Sequence, residues 1–234
     1  MSPKARYTLI AGLLLFAAVA VRLGIWQLHR LRERQAANAS QAILRAEPEL
    51  ALAGRGQVNP IQRRVVVTGV YDRTHELVLR GRALQGDPGV SLVTPLRVPA
   101  LADTAVLVER GFVPTPDAVR LRPDSGAFDE PDTRIVRGIA LPITSGDDRG
   151  APLEHDGHTT WRRLDLAALR AQLPYPVLDV YVLQTPDTAL PQLPRRRDAP
   201  ALDDEGPHRS YAIQWFAFAT MAVVFAGIFG RKGR

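Results

Sequence analysis

Two long apolar runs bracket a middle region in which hydrophobic and polar residues alternate. Tyr7 to Leu28 carries one charge, Arg22, and Tyr211 to Phe229 has only Gln214 and Thr220 as clear polar interruptions. About 20 apolar residues at ~1.5 Å each cross a ~30 Å hydrocarbon layer, and a helix satisfies its own backbone there. The pattern predicts transmembrane helices over 7–28 and 209–229, with residues 1–6 and 230–234 as short tails. The first run also has the shape of a cleavable signal peptide, a basic start and an apolar stretch ending in Ala18-Val19-Ala20. Hydrophobicity resumes after Arg22 in Leu23-Gly24-Ile25-Trp26, which favours an uncleaved anchor with Arg22 snorkelling to the far interface.

The middle reads as strands separated by turn residues. Arg30 to Arg45 continues the first helix in polar, Ala-rich form. Strands are expected at Arg64–Tyr71, Glu76–Arg80, Val90–Val98, Ala105–Val113, Thr133–Leu141 and Val177–Gln184. Asp72 to His75 and Asp87-Pro88-Gly89 read as turns, and Pro95 as a bend or an edge position. One soluble helix is expected, capped by Asp165, with Leu166, Leu169 and Leu173 on one face and Pro174 ending it. The fold class is α+β: an antiparallel sheet or small barrel with one or two helices over 29–184. Residues 185–208, with five prolines, Arg195 to Arg197 and Asp203 to Glu205, form a stiff polar linker back to the membrane.

Charge narrows the function. The chain of 234 residues has 30 basic and 24 acidic residues, a net charge of +6. All the acids lie between positions 23 and 210, and Lys4, Arg6, Arg22, Arg231, Lys232 and Arg234 lie outside, so the middle is neutral and the excess surrounds the apolar ends. No basic domain exists to neutralise phosphates, which argues against a nucleic-acid partner. The absence of cysteine excludes disulfides, thiolate metal sites and a cysteine nucleophile. Basic residues flank both spans on both sides, so charge leaves the orientation open.

Candidate chemistry is sparse. No nucleophile elbow, P-loop or paired-histidine zinc motif occurs. His155-Asp156-Gly157-His158 is the only local histidine cluster, and a solvated turn describes it better than a metal site. The membrane borders carry more. At ~100° per residue, His208, Tyr211 and Trp215 share one narrow helical face, and Arg22, Trp26, His29 and Arg30 share a sector of the first helix. Aromatics at such borders commonly serve as interfacial anchors. A histidine there has a second use, because a neutral imidazole is an axial ligand for haem iron and nearby arginines pair with propionates.

Six segments then resemble, in order, the Surfeit locus protein 1 family of cytochrome c oxidase assembly factors. Leu23 to Arg30 resembles its Gly-x-Trp-Gln-x-x-Arg signature. Val67 to Asp72 is similar to its strand-Gly-turn segment, and Gly89 to Leu96 to its Gly-x-x-x-x-Thr-Pro-Leu run. Val106 to Pro114 resembles Val-Asn-Arg-Gly-Trp-Val-Pro, with Glu109 in place of Asn and Phe112 in place of Trp. Trp161 to Leu169 is similar to Trp-x-x-x-Asp-Leu, and His208 to Phe216 to His-x-x-Tyr-Ala-x-Gln-Trp-Phe. The resemblance implies a non-catalytic membrane factor, both termini cytoplasmic and the central domain outside the inner or plasma membrane. It implies assistance in delivering haem a to the oxidase's catalytic subunit, alongside the haem a synthesis machinery. The family's haem-associated histidine carries over to His208, and Trp26, Gln27, Arg30, Tyr211, Gln214 and Trp215 carry over without an assigned role. Arg22 joins Arg30 as a candidate propionate partner. The alternatives are a scaffold for an oxidase subunit that touches no haem, and a membrane-anchored hydrolase.

Overall fold

A computed structural model describes residues 2–52, 59–121, 130–144, 152–155, 158–202 and 204–231. They form two compact units, Met1–Ala42 with Leu202–Arg234, and Ile43–Ala201. Asp156, Gly157, Asp203, Lys232 and Arg234 lie outside the described residues.

The first unit is a helix pair. Helix α1 (Pro3–Ala46) runs 44 residues without a break, so the apolar run and its polar extension are one helix. Helix α3 (His208–Arg231) has 24 residues, and both helices are long and apolar enough to cross a membrane. They meet through small side chains: Ala17 and Ala20 cluster with Ala219 and Ala222, flanked by Leu13 and Trp215. The large apolar side chains Leu14, Leu15, Phe16, Ile25, Ile213, Val224 and Phe225 face outward. Small inside and large outside inverts a water-soluble pair. It suits lipid, where close backbone approach rather than burial of large apolar groups drives helices together.

Gly24 shows how tight the seam is, since a Cβ built on it stands 2.7 Å from Cε1 of Phe216. Gly24→Val is expected to force the helices apart. The measurement is disulfide cross-linking between single cysteines placed on the two helices of this cysteine-free chain. Efficiency should fall several-fold, and unchanged efficiency would show that the seam tolerates the branch.

The second unit is a barrel. Its elements are β1 (Leu50–Ala51), β2 (Arg64–Tyr71), β3 (Leu77–Leu84), β4 (Asp87–Val98), β5 (Thr104–Pro114), β6 (Thr133–Pro142), β7 (Leu153–His155), β8 (His158–Trp161), α2 (Leu166–Gln172) and β9 (Val177–Gln184). The strand order is β1-β2-β6-β9-β5-β4-β3-β8-β7, and a further β2–β4 pairing closes β2, β6, β9, β5 and β4 on themselves. Most pairs are antiparallel; β5 with β9, β1 with β2 and β3 with β8 are parallel. The alternation in β2 sends Val65, Val67 and Tyr71 inward, where they meet Leu96, Val98, Val106, Val108, Val136 and Val182. A second core lies beneath α2, with Leu169 against Leu77, Leu79, Leu107 and Trp161. Asp165 caps α2 as its position predicts, accepting from the Ala168 N–H at 3.0 Å.

Three local readings change. The β3–β4 turn is Gln85-Gly86, both at positive φ, so Asp87-Pro88-Gly89 starts a strand rather than turning the chain. Pro95 lies inside a central strand, opposite Leu107 of β5: β4 leaves β3 after the Leu77–Val93 pair and joins β2 at Tyr71–Leu96, so its missing N–H falls where partners change. Within the polar linker, Arg195 and Phe112 exchange backbone hydrogen bonds of 2.7 and 2.8 Å, laying that stretch along β5.

Candidate functional site

The motif histidine stands at the first turn of α3, where the helix dipole and unpaired N–H groups concentrate. His208 is half-buried, and its Nδ1 lies 2.8 Å from Oε1 of Gln27 on α1. Gln27 is itself buried, 8% exposed, so the amide stays aimed at the ring. A carbonyl oxygen only accepts, so Nδ1 carries the proton and donates. In the neutral ring this fixes the tautomer with the proton on Nδ1 and the lone pair on Nε2. That edge of the ring lies beside Gly206, where a built Cβ would stand 3.5 Å from Nε2 at a φ of 70°. Glycine thus permits the turn into α3 and leaves the nitrogen's flank low.

The helical geometry sorts the other candidate residues. On α3, His208, Ala212, Trp215, Ala219, Ala222 and Ala226 fall within a ~80° sector. Trp215 packs on the alanine cluster, with the Phe218 ring edge-on at 5.9 Å, while Tyr211 sits at the rim, 45% exposed. On α1 the buried stripe is Ala17, Ala20, Gly24 and Gln27. Arg22, Trp26, His29 and Arg30 lie on the largely opposite side, all exposed, and Arg30 pairs with Glu33 at 2.7 Å. The structure therefore joins His208 to Gln27, with Trp215 two turns further along the same face of α3 and Tyr211 at its edge. It sets Arg22, Trp26 and Arg30 on a separate face. The signal for Gln27 was present in the sequence, since it continues the Ala17-Ala20-Gly24 stripe of small residues by one turn.

The barrel holds a second cluster that the sequence does not announce. Arg110 is the extra residue of a bulge between the Leu92–Gly111 and Val93–Glu109 pairs, which re-aims its side chain inward. Its guanidinium reaches Glu130 Oε1 at 3.1 Å and Glu76 Oε2 at 2.9 Å, beneath the Tyr71 ring at 5.5 Å. Arg134 meets Glu130 Oε2 at 2.8 Å, and Arg196 from the linker also binds Glu130. Burial raises the Glu130 pKa, but Arg110 and Arg196 outweigh it and hold the carboxyl below its ordinary range. Burial, reinforced by Glu130, pushes the Tyr71 hydroxyl well up. The two departures from the family pattern both face this docked segment: Glu109 binds Arg197, and Phe112 bridges Arg195. Both side chains are buried, so they complete an internal contact.

Among the remaining histidines, His75 is tied to Asp72 at 2.8 Å and set edge-on to Tyr175. His155 and His158 are register partners across β7 and β8, with the intervening Asp156-Gly157 outside the described residues. Among the described residues no cluster of three or more metal-ligating side chains occurs.

Two helices long and apolar enough to cross a membrane flank, in sequence, a closed β-barrel, and the second carries a histidine at its head, the arrangement of a membrane-anchored domain. A family model described as the SURF1 family matches residues 14–220. The chain belongs to that family. It is similar to the SURF1-like protein of Rickettsia felis, 27% identical over 222 residues covering 92% of this chain and 93% of that one. A SURF1-like protein of Rickettsia bellii is 28% identical over 222 residues, covering 92% and 87%.

Proposed function

We propose that this protein is a non-catalytic, membrane-anchored assembly factor for haem-a-containing cytochrome c oxidase, and that it presents haem a to the catalytic subunit. Membership of a family of oxidase assembly factors supports the coarser part. The observation that supports the haem part is the Gln27–His208 hydrogen bond, which engages Nδ1 and leaves Nε2 as the ring nitrogen not bonded to Gln27, at the border of an apolar helix. The residues fit the cargo: one imidazole with a fixed tautomer, two aromatic rings on the same helix and no second histidine beside it on α3. Haem a would supply an iron centre that accepts an imidazole nitrogen. His208 would hold it, and Tyr211 and Trp215 would flank it. Release has to follow binding, and a single axial ligand suits a carrier better than two. In this reading both helices span the inner or plasma membrane, both termini are cytoplasmic and the barrel lies outside.

The test is to purify the chain from membranes of cells making haem a and strip the oxidase subunits, with mass spectrometry verifying their removal. The pigment spectrum is then recorded. Haem a that stays with the chain supports a carrier. Haem a that leaves with the subunits makes the protein a scaffold that touches no haem.

A further inference from the structure

The face of α1 turned away from α3 holds a cation that the fold does not use. Arg22 lies inside the apolar run, six residues before Leu28, about 9 Å along the axis. It is exposed, and among the described residues it has no ion pair or hydrogen bond. A cation at that depth ordinarily faces a bundle interior and pairs there. Here the bundle interior is the Ala17-Ala20-Gly24-Gln27 stripe, on the other side of the helix.

Snorkelling is the simplest alternative, and the helix direction works against it. Side chains on a helix lean toward its N-terminus. For Arg22 that direction is away from Leu28 and into the long side of the span, about 22 Å from Tyr7. To reach headgroups beyond Leu28, Arg22 must fold back past Trp26, the exposed residue one turn on. The same face is shaped for another helix: Gly12 has open space beside it, and Leu15 and Val19 stand exposed between it and Arg22.

We infer that this face docks a transmembrane helix of another protein, one that carries a carboxylate at the depth of Arg22. Charge complementarity selects the partner. A second copy does not supply the acid, because neither span of this chain contains Asp or Glu, and the first acid after Arg22 is Glu33. The inference rests on α1 spanning the bilayer and is independent of haem.

The test uses the full chain in phosphatidylcholine vesicles, with alkaline extraction used to select preparations in which it is inserted. Because the chain has no cysteine, Ser2→Cys gives a single labelling site for a fluorescent donor. The probes are two acceptor-labelled Leu/Ala transmembrane peptides, one with a single Glu at the Arg22 depth and one with Gln. Energy transfer should show about five- to tenfold tighter association with the Glu peptide. That preference should persist in Arg22→Lys and vanish in Arg22→Gln, while Val224→Ala, on the outward face of α3, leaves it unchanged. Equal binding of the two peptides by the unsubstituted chain, or a Glu preference that survives Arg22→Gln, overturns the inference. So does an Arg22-dependent enrichment of labelled phosphatidylglycerol without any peptide preference, which would make lipid phosphate the partner.

Discussion

Glu130→Gln is expected to destabilise the barrel by about 3–5 kcal/mol, the range for removing one member of a buried ion-pair network. The Glu130 side chain is fully buried and is the anion shared by Arg110, Arg134 and Arg196. A glutamine keeps the shape but not the charge, leaving guanidinium groups in a low-dielectric site without their shared counter-ion. Hydrogen exchange resolved by mass spectrometry would read it, with protection in β5 and β6 falling by about two orders of magnitude or more. Unchanged protection would mean that the cluster is solvated. The pH dependence has a definite sign. The folded-state pKa of Glu130 lies below its ordinary value, so its stabilisation is complete above the ordinary carboxylate range and is lost as pH falls through the depressed pKa. Wild type should lose protection steeply in acid, and the glutamine variant should lack that component.

Gln27→Leu should weaken haem a retention about 10- to 100-fold, the usual cost of removing a hydrogen bond that orients a metal-binding histidine. Leucine fills a similar volume in the seam between α1 and α3, so the helix pair survives while Nδ1 loses its acceptor. The imidazole is then free to rotate and to exchange tautomers, and Nε2 is no longer held as the unprotonated nitrogen. Titration of the purified variant with haem a, compared with wild type in the same detergent, gives the ratio. Equal affinity would detach Gln27 from the histidine's role, with cross-linking between the helices as the control for pairing.

Elements governed by local pattern were legible in the sequence. The Arg64–Tyr71 strand, the Asp165 cap and the two apolar runs each depend on neighbours a few residues away. What was not legible depends on register between distant segments. The helical wheel placed Arg22, Trp26, His29 and Arg30 together, but not which side of α1 meets α3. The alanine-glycine stripe carried that information, and it made Gln27 rather than Trp26 the neighbour of His208. Arg195 to Arg197 read as a solvated charge run because their partners Asp87, Glu130 and Glu109 lie 66 to 108 positions away. Arg110 looked like one more strand residue, since the bulge that turns it inward shows only in the pairing with β4.

Whether His208 Nε2 holds the cargo is read directly from a paired absorption spectrum. Wild type and His208→Ala are purified side by side from cells making haem a, and pigment per polypeptide is compared. Wild type should show a haem a band that is absent or reduced at least tenfold in the variant, with helix pairing intact in both. Equal pigment in the two preparations would contradict it.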